Sequence, residues 1–240
     1  MSAAMEWIED RVPGSSTLLV MLPGAGDGAQ DFVRHGMLAA LRESGAPVDV
    51  IAADARSSDY LDKSVIPRLH EQVITPALAR RPQRLWLLGI SLGGMGAALY
   101  ARAHPGEVAG LILLAPFFAV RGAIAQVTRA GGLDAWQPGP IAADDEERQL
   151  LAWLKAYRLD APGAPAIHLG YGTADRYAPA SLLLAARLPA AQVTTCDGGH
   201  DWPTWRLLWQ RMLSHGPLGS ALHAPGGPAH RIAVREIAKK

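Results

Sequence analysis

The segment Arg84-Leu85-Trp86-Leu87-Leu88-Gly89-Ile90-Ser91-Leu92-Gly93-Gly94-Met95-Gly96-Ala97-Ala98-Leu99-Tyr100-Ala101 sets an apolar run directly against a serine, and the serine directly against a run of helix formers. Its centre, Gly89-Ile90-Ser91-Leu92-Gly93, fits G-x-S-x-G, the pattern of a sharp strand-to-helix turn that lifts a serine hydroxyl clear of the backbone. Such a turn is strained and brings the chain close to its neighbours, so the positions two before and two after the serine must be small. In a chain with 25 glycines the five-residue pattern is weak by itself. The buried-strand signal before it and the helix signal after it supply the context the motif requires.

On either side of this segment, short apolar runs recur at 18–22, 48–53, 85–90, 111–115, 166–171 and 192–196. Most are continuously apolar rather than alternating, which a strand covered on both faces requires. Helix-like stretches at 31–43, 63–79, 91–103, 178–187 and 202–215 separate most of them. Strands alternating with helices predict an α/β fold with a mostly parallel central sheet and right-handed crossovers. The interval between Pro116 and Pro165 breaks the rhythm and is too long for an ordinary connection. It reads as a cap insertion over 117–164, with one helix from Asp144 to Tyr157 whose first turn is acidic, as the helix dipole favours. Residues 1–216 are expected to form one domain. Residues 217–240, rich in Gly, Pro, Ala and His, are expected to form a loosely ordered tail.

Bulk properties narrow the function classes. The 240 residues carry a formal net charge of +1 with dispersed basic residues, which argues against a nucleic-acid surface. The single cysteine, Cys196, excludes an internal disulfide framework and suits a reducing compartment; at the end of an apolar run it reads as a buried thiol. The first residues carry acids and lack an apolar core for a signal peptide, and no apolar run approaches the ~18 residues of a membrane span. The expectation is a cytoplasmic protein without membrane insertion. The sequence carries no signal of oligomeric state.

A serine hydroxyl becomes a useful nucleophile only when a base takes its proton and an acid orients that base. Asp175, in Gly172-Thr173-Ala174-Asp175, follows the strand at 166–171, and His200, in Gly198-Gly199-His200-Asp201-Trp202, follows the last strand. Ser91, Asp175 and His200 therefore all fall at carboxyl ends of strands, where open α/β sheets build their sites. His35, His70, His104 and His215 fall in or beside helices, His168 is mid-strand, and His223 and His230 are in the tail. None of these forms a metal-ligand spacing such as H-E-x-x-H. Asp197 and Asp201 are nearer to His200 in sequence, but read as turn-capping residues.

Negative charge on a former carbonyl oxygen needs prepositioned N–H donors, one of which comes from the residue after the nucleophile, here Leu92. In the loop after the first core strand, Leu22-Pro23-Gly24-Ala25-Gly26-Asp27, the chain resembles the α/β-hydrolase superfamily. Members commonly carry His-Gly-x there, where this sequence has Pro23-Gly24-Ala25. That match implies Ala25 as the second donor, with Gly26 as the alternative. The same loop continues as Gly24-Ala25-Gly26-Asp27-Gly28-Ala29, a G-x-G-x-x-A skeleton for dinucleotides with Asp54 ending the next strand. A helix starting near Asp31 begins too late to hold a pyrophosphate, and Asp54 is too far along the chain, so that reading is set aside.

The resemblance covers the chain from Leu18 to about His215, and its His200-Asp201-Trp202 ending is similar to that of esterase-D-like and related small carboxylesterases. It implies hydrolysis of a small-molecule ester through an acyl-enzyme, without a metal or organic cofactor. Ser91 would attack, His200 would carry the proton and Asp175 would hold the imidazole. Gly26 and the cap residues Phe117, Trp136 and Trp153 are expected to line the substrate pocket. Phe118 is a further apolar candidate, and Arg121 and Arg129 could meet an acidic substrate. Trp202, Trp205 and Trp209 recur at helical spacing and read as a core-facing stripe. A thioesterase or acyltransferase would share the same three residues, and a non-catalytic binding protein of the same fold is the reading from a different class.

Overall fold

The computed structural model describes residues 4–214 and the backbone of 232–234. Its eight-stranded sheet has the order β7-β6-β5-β4-β2-β3-β1-β8. Five of these strands, β2 (Thr17–Leu22), β3 (Val48–Ala53), β4 (Arg84–Ile90), β5 (Gly110–Leu114) and β6 (Ala166–Gly172), lie where the apolar runs predict them, and β7 (Val193–Cys196) starts one residue late. All pairings among these six strands are parallel. The sequence reading missed β1 (Trp7–Asp10), which pairs antiparallel with β3. Its Trp-Ile-Glu-Asp alternates half-buried with buried residues, the pattern of a strand near an edge. Beyond it, β8 (Ile232–Val234) pairs antiparallel with β1. The rest of the tail expected at 217–240, with His215, His223 and His230, lies outside the described residues.

Successive strand residues point to opposite faces, and each face has its own core. Leu18, Val20, Leu22, Leu85, Leu87, Leu111, Leu113, Ile167 and Leu169 pack on one side. Leu19, Met21, Trp86, Leu88, Ile90, Ile112 and Leu114 pack on the other. This two-sided burial is why the strands read as unbroken apolar runs. The first face is covered by α6 (Leu92–Ala103) and by a longer helical path comprising α4 (Val65–Arg68), a π-helical turn (Leu69–Ile74) and α5 (Thr75–Leu78). Pro76 has no N–H for the Gln72 carbonyl and crowds it, and the wider turn ahead of Pro76 supplies the room.

The second face is covered by α1 (Ala29–Arg34), α2 (Met37–Glu43) and α10 (Trp202–Ser214). The single helix expected at 31–43 is divided by Gly36, whose φ of 73° is left-handed. α10 is anchored by the fully buried Trp209, whose indole N–H donates to the Met37 carbonyl at 3.0 Å.

Two further helices, α3 (Ser57–Leu61) and α7 (Arg121–Arg129), were not expected, and α9 (Ala178–Ala185) follows β6. Residues 117–164 hold α7 and α8 (Glu146–Ala156). Asp145 caps α8 by accepting from the Arg148 N–H at 3.0 Å. α8 packs on α6, and α7 packs on α9. Lys155 donates to the Asp134 carbonyl at 3.0 Å within the interval, and Lys63 donates to the Asp144 carbonyl at 2.8 Å, tying the interval to the body of the protein. Among the described residues, no helix is long and apolar enough to cross a membrane.

His168 is buried in β6 beside Trp86, and burial holds its imidazole below the usual value of 6.5. The unfolded chain therefore takes up a proton near pH 6.5 that the folded chain refuses, so stability present above that pH is lost as pH falls. In urea titrations between pH 7.5 and 5.5, the stability of the protein relative to His168→Leu is expected to fall with pH. A difference that stays constant across that range excludes this role for His168.

Candidate active site

β4 delivers Ser91 at the carboxyl end of the sheet with φ 50° and ψ −112°, a strained conformation that costs a non-glycine residue of order 1–3 kcal/mol. The surrounding chain enforces it. The Ser91 N–H donates to the Leu114 carbonyl at 3.0 Å, and the Ser91 carbonyl accepts from the N–H groups of Gly94 and Phe117 at 2.9 Å each. The sequence requirement for small flanking residues has a direct cause. A Cβ on Gly89 would stand 2.2 Å from the Gly93 carbonyl oxygen, and one on Gly93 would stand 2.1 Å from the Leu22 carbonyl oxygen. The first turn of α6 is thus pressed against the ends of β2 and β4, backbone on backbone.

The structure brings Ser91, His200 and Asp175 together. His200 Nε2 lies 2.9 Å from Ser91 Oγ, and His200 Nδ1 lies 2.8 Å from Asp175 Oδ2. A carboxylate only accepts, so Nδ1 carries the proton and Nε2 faces the serine hydroxyl as an acceptor. The Asp175 side chain is 1% exposed, and its other oxygen accepts from the Tyr177 N–H at 2.7 Å. The ring edges of Tyr177 and Trp205 meet the His200 imidazole with centroids at 4.7 and 5.1 Å, fixing its plane.

The other acids and histidines near these loops go elsewhere. Asp197 accepts from the Thr173 hydroxyl. Asp201 accepts from the Thr204 N–H at the start of α10, and hydrogen bonds from Thr204 hold its carboxyl below the usual carboxylate range. Burial pushes the Cys196 thiol up, consistent with an inert thiol. His35 stacks on Trp202 at 4.4 Å. At the opposite end of α6, His70 and His104 stack at 4.2 Å, and Tyr100 donates to Glu107.

A hollow of about 460 Å³ opens over Ser91, lined by Gly24, Ala25, Asp27, Leu92, Phe117, Arg176, Tyr177, His200 and Trp205. Leu92 opens α6, where first-turn N–H groups lack helical partners. A Cβ on Gly24 would stand 3.7 Å from Ser91 Cβ, so the Gly24-Ala25 backbone lies alongside the serine. Asp27 closes that loop through its N–H to the Gly24 carbonyl at 3.2 Å, and its Oδ1 accepts from the Trp202 indole N–H at 3.2 Å. The tryptophan stripe is therefore not uniformly core: Trp209 is interior, whereas Trp205 borders the hollow and Trp202 ties the glycine loop to the histidine loop.

The residues expected at the pocket fall in different surroundings. Phe117 reaches the hollow, but Gly26 is not among its lining residues. Gly26, with φ 85°, lies within the turn that Asp27 closes. Trp136 is buried in the core at 3% exposure, and Trp153 lines a separate depression with Tyr157 and Pro162, because α8 packs on α6 rather than over the serine. Phe118 is likewise interior. Tyr177, Arg176, Trp205 and Asp27 were missed as lining residues. The adjacency of Arg176 and Tyr177 to Asp175 was the available signal. The dinucleotide alternative meets a filled site: α1 starts at Ala29 rather than Asp31, and Asp54 Oδ1 accepts from the Ala29 N–H at 3.3 Å.

A family model described as serine aminopeptidase, S33, matches residues 69–142, the segment that carries the strained serine turn. An S-formylglutathione hydrolase of Staphylococcus aureus superposes with a TM-score of 0.58 at 18% identity, covering 85% of this chain and 81% of that one. A monoacylglycerol lipase of Paleococcus ferrophilus gives 0.56 at 17% identity, covering 88% and 97%. No curated protein matches the sequence. The chain has the α/β-hydrolase fold.

The elbow packing gives a paired prediction. Gly93→Ala drives a methyl into the Leu22 carbonyl and is expected to cost about 3 kcal/mol or more in thermal or urea unfolding. Gly122→Ala meets no atom within 4 Å in α7 and should stabilise by ~0.5–1 kcal/mol. Similar effects at both positions would show that close backbone approach does not set the glycine requirement at the elbow.

Proposed function

We propose that this protein is a serine hydrolase that cleaves a carboxylic ester of a small or medium substrate through an acyl-enzyme. The observation that carries the reading is the unbroken path Ser91 Oγ, His200 Nε2, His200 Nδ1, Asp175 Oδ2, with contacts of 2.9 and 2.8 Å. His200 takes the serine proton as Oγ attacks the carbonyl carbon. The resulting oxyanion is met by the N–H groups of Leu92 and Ala25, both of which line the hollow. The imidazolium then protonates the departing alkoxide, leaving Ser91 acylated. Water, deprotonated by His200, attacks the acyl carbon and restores the serine. Asp175 holds the imidazole in the required tautomer and stabilises its charged form. Residues 1–216 are taken as the hydrolase unit, with 117–164 as an insertion within it.

Treatment with a fluorophosphonate probe followed by peptide mapping is expected to place the adduct on Ser91, and Ser91→Ala to abolish it. Asp175→Asn should lower kcat for p-nitrophenyl esters by roughly 10³–10⁴-fold while leaving the fold intact by circular dichroism. An adduct elsewhere, or none, overturns the assignment. Preference for acyl-CoA thioesters over matched p-nitrophenyl esters would replace the ester reading with a thioesterase one.

A further inference from the structure

Beside the hollow over Ser91 lies a second groove of about 480 Å³, a size ordinary for a small-molecule site. Phe117, Arg176 and Tyr177 line both, so the two spaces adjoin. The floor and walls of the groove are apolar, with Phe117, Ala119, Ile124, Ala125, Pro179 and Ala180 contributed by α7, α9 and their connections. Its polar side chains are three arginines, Thr128 and Tyr177. Arg121, Arg129 and Arg176 line it, and neither an aspartate nor a glutamate does.

Elsewhere in the described structure, guanidinium groups near carboxylates pair with them, as Arg42 does with Asp10, Arg68 with Asp59, Arg148 with Asp145 and Arg187 with Asp134. Among the described residues, Arg121, Arg129 and Arg176 have no carboxylate partner. Two of them are held in another way. The guanidinium carbons of Arg176 and Arg121 stand 4.9 and 5.8 Å from the centre of the Tyr177 ring. A cation over an aromatic face is positioned without being neutralised. The same Tyr177 ring abuts His200. Two chain segments, the start of α7 and the loop after β6, therefore converge to hold two guanidinium groups at the junction between the groove and the serine, neither of them ion-paired, although Glu147 accepts from the neighbouring Val120 N–H at 3.0 Å and Asp27 lines the far side of the hollow.

We propose that the groove and this arginine pair select an anionic ester. The apolar acyl chain would lie along α7, and a carboxylate or phosphate close to the ester bond would be met by Arg121 and Arg176. The inference names the substrate class of the hydrolase reading above and rests on it. The groove supplies apolar area for the chain, and the guanidinium groups supply planar donors suited to carboxylate or phosphate oxygens.

Binding to Ser91→Ala protein tests this without any catalytic step. Octanoate, octyl phosphate and octanol share the chain and differ in the head, and calorimetry reports their affinities. Octanoate, octyl phosphate or both are expected to bind about tenfold or more tightly than octanol, the scale of one charge-assisted hydrogen bond. Whichever head binds more tightly identifies the anion. Combining Arg121→Gln with Arg176→Gln should erase the preference while leaving octanol binding in place, with folding checked by circular dichroism. Equal affinity for the three ligands, or a preference that survives the double substitution, overturns the proposal. Fluorophosphonate labelling of Ser91 in the otherwise native protein is scored separately, so a hydrolase without anion selectivity is distinguishable from a protein that is not a hydrolase.

Discussion

The close approach of the first turn of α6 to the ends of β2 and β4 is the constraint on which the rest of the site depends. Gly93 leaves no room for a Cβ beside the Leu22 carbonyl, and Gly89 leaves none beside Gly93. That approach forces Ser91 into its left-handed conformation and sets the start of α6 against the sheet. It also draws the loop after β2 alongside the serine, so that the Gly24-Ala25 backbone and the first N–H groups of α6 border one hollow.

The remaining members depend on the parallel register of β5, β6 and β7. Gly172 pairs with Cys196, so the loops bearing Asp175 and His200 leave the sheet side by side. A carboxylate as enclosed as Asp175 is costly unless its oxygens are satisfied. One accepts from the Tyr177 N–H and the other from His200. Removal of His200 would leave a buried charge partly unpaired, so the pair is coupled structurally as well as chemically. Tyr177 joins the two requirements: its backbone steadies the acid and its ring borders the imidazole.

What the sequence made legible follows from how local each signal is. Two-sided burial marks β2 to β7 as apolar runs, and the strained turn is written in contiguous residues around Ser91. Asp175 and His200 were readable because each follows such a run. Elements whose identity rests on tertiary contacts were not. β1 has only four residues, two of them acidic, and exists because β3 offers it an edge. α7 carries a weakly apolar sequence whose buried residues Ala123, Ile124 and Val127 face the body of the protein. The π-helical turn and the break at Gly36 alter helices that were otherwise located. The pocket was the least legible part. Phe117 sits one residue beyond Pro116 and is carried to the serine by backbone pairing, whereas the positions of Trp136 and Trp153 depend on where α8 docks.

This division bears on how the site is specialised. The serine, histidine and aspartate lie just beyond the ends of strands fixed by packing on both faces, and within their loops they are held by Tyr177 and Trp205. The groove is bounded by α7 and α9, which contact each other outside the sheet. Arg121 and Arg129 project from α7, and Arg176 belongs to the loop that also carries Asp175. Substitutions on α7 can therefore change the charge and width of the groove without disturbing the elbow, but Arg176 cannot move far without moving Asp175 and the Tyr177 N–H that supports it. Arg176 is thus one peptide bond from Asp175 and one from Tyr177, while Arg121 and Arg129 are free to vary with α7.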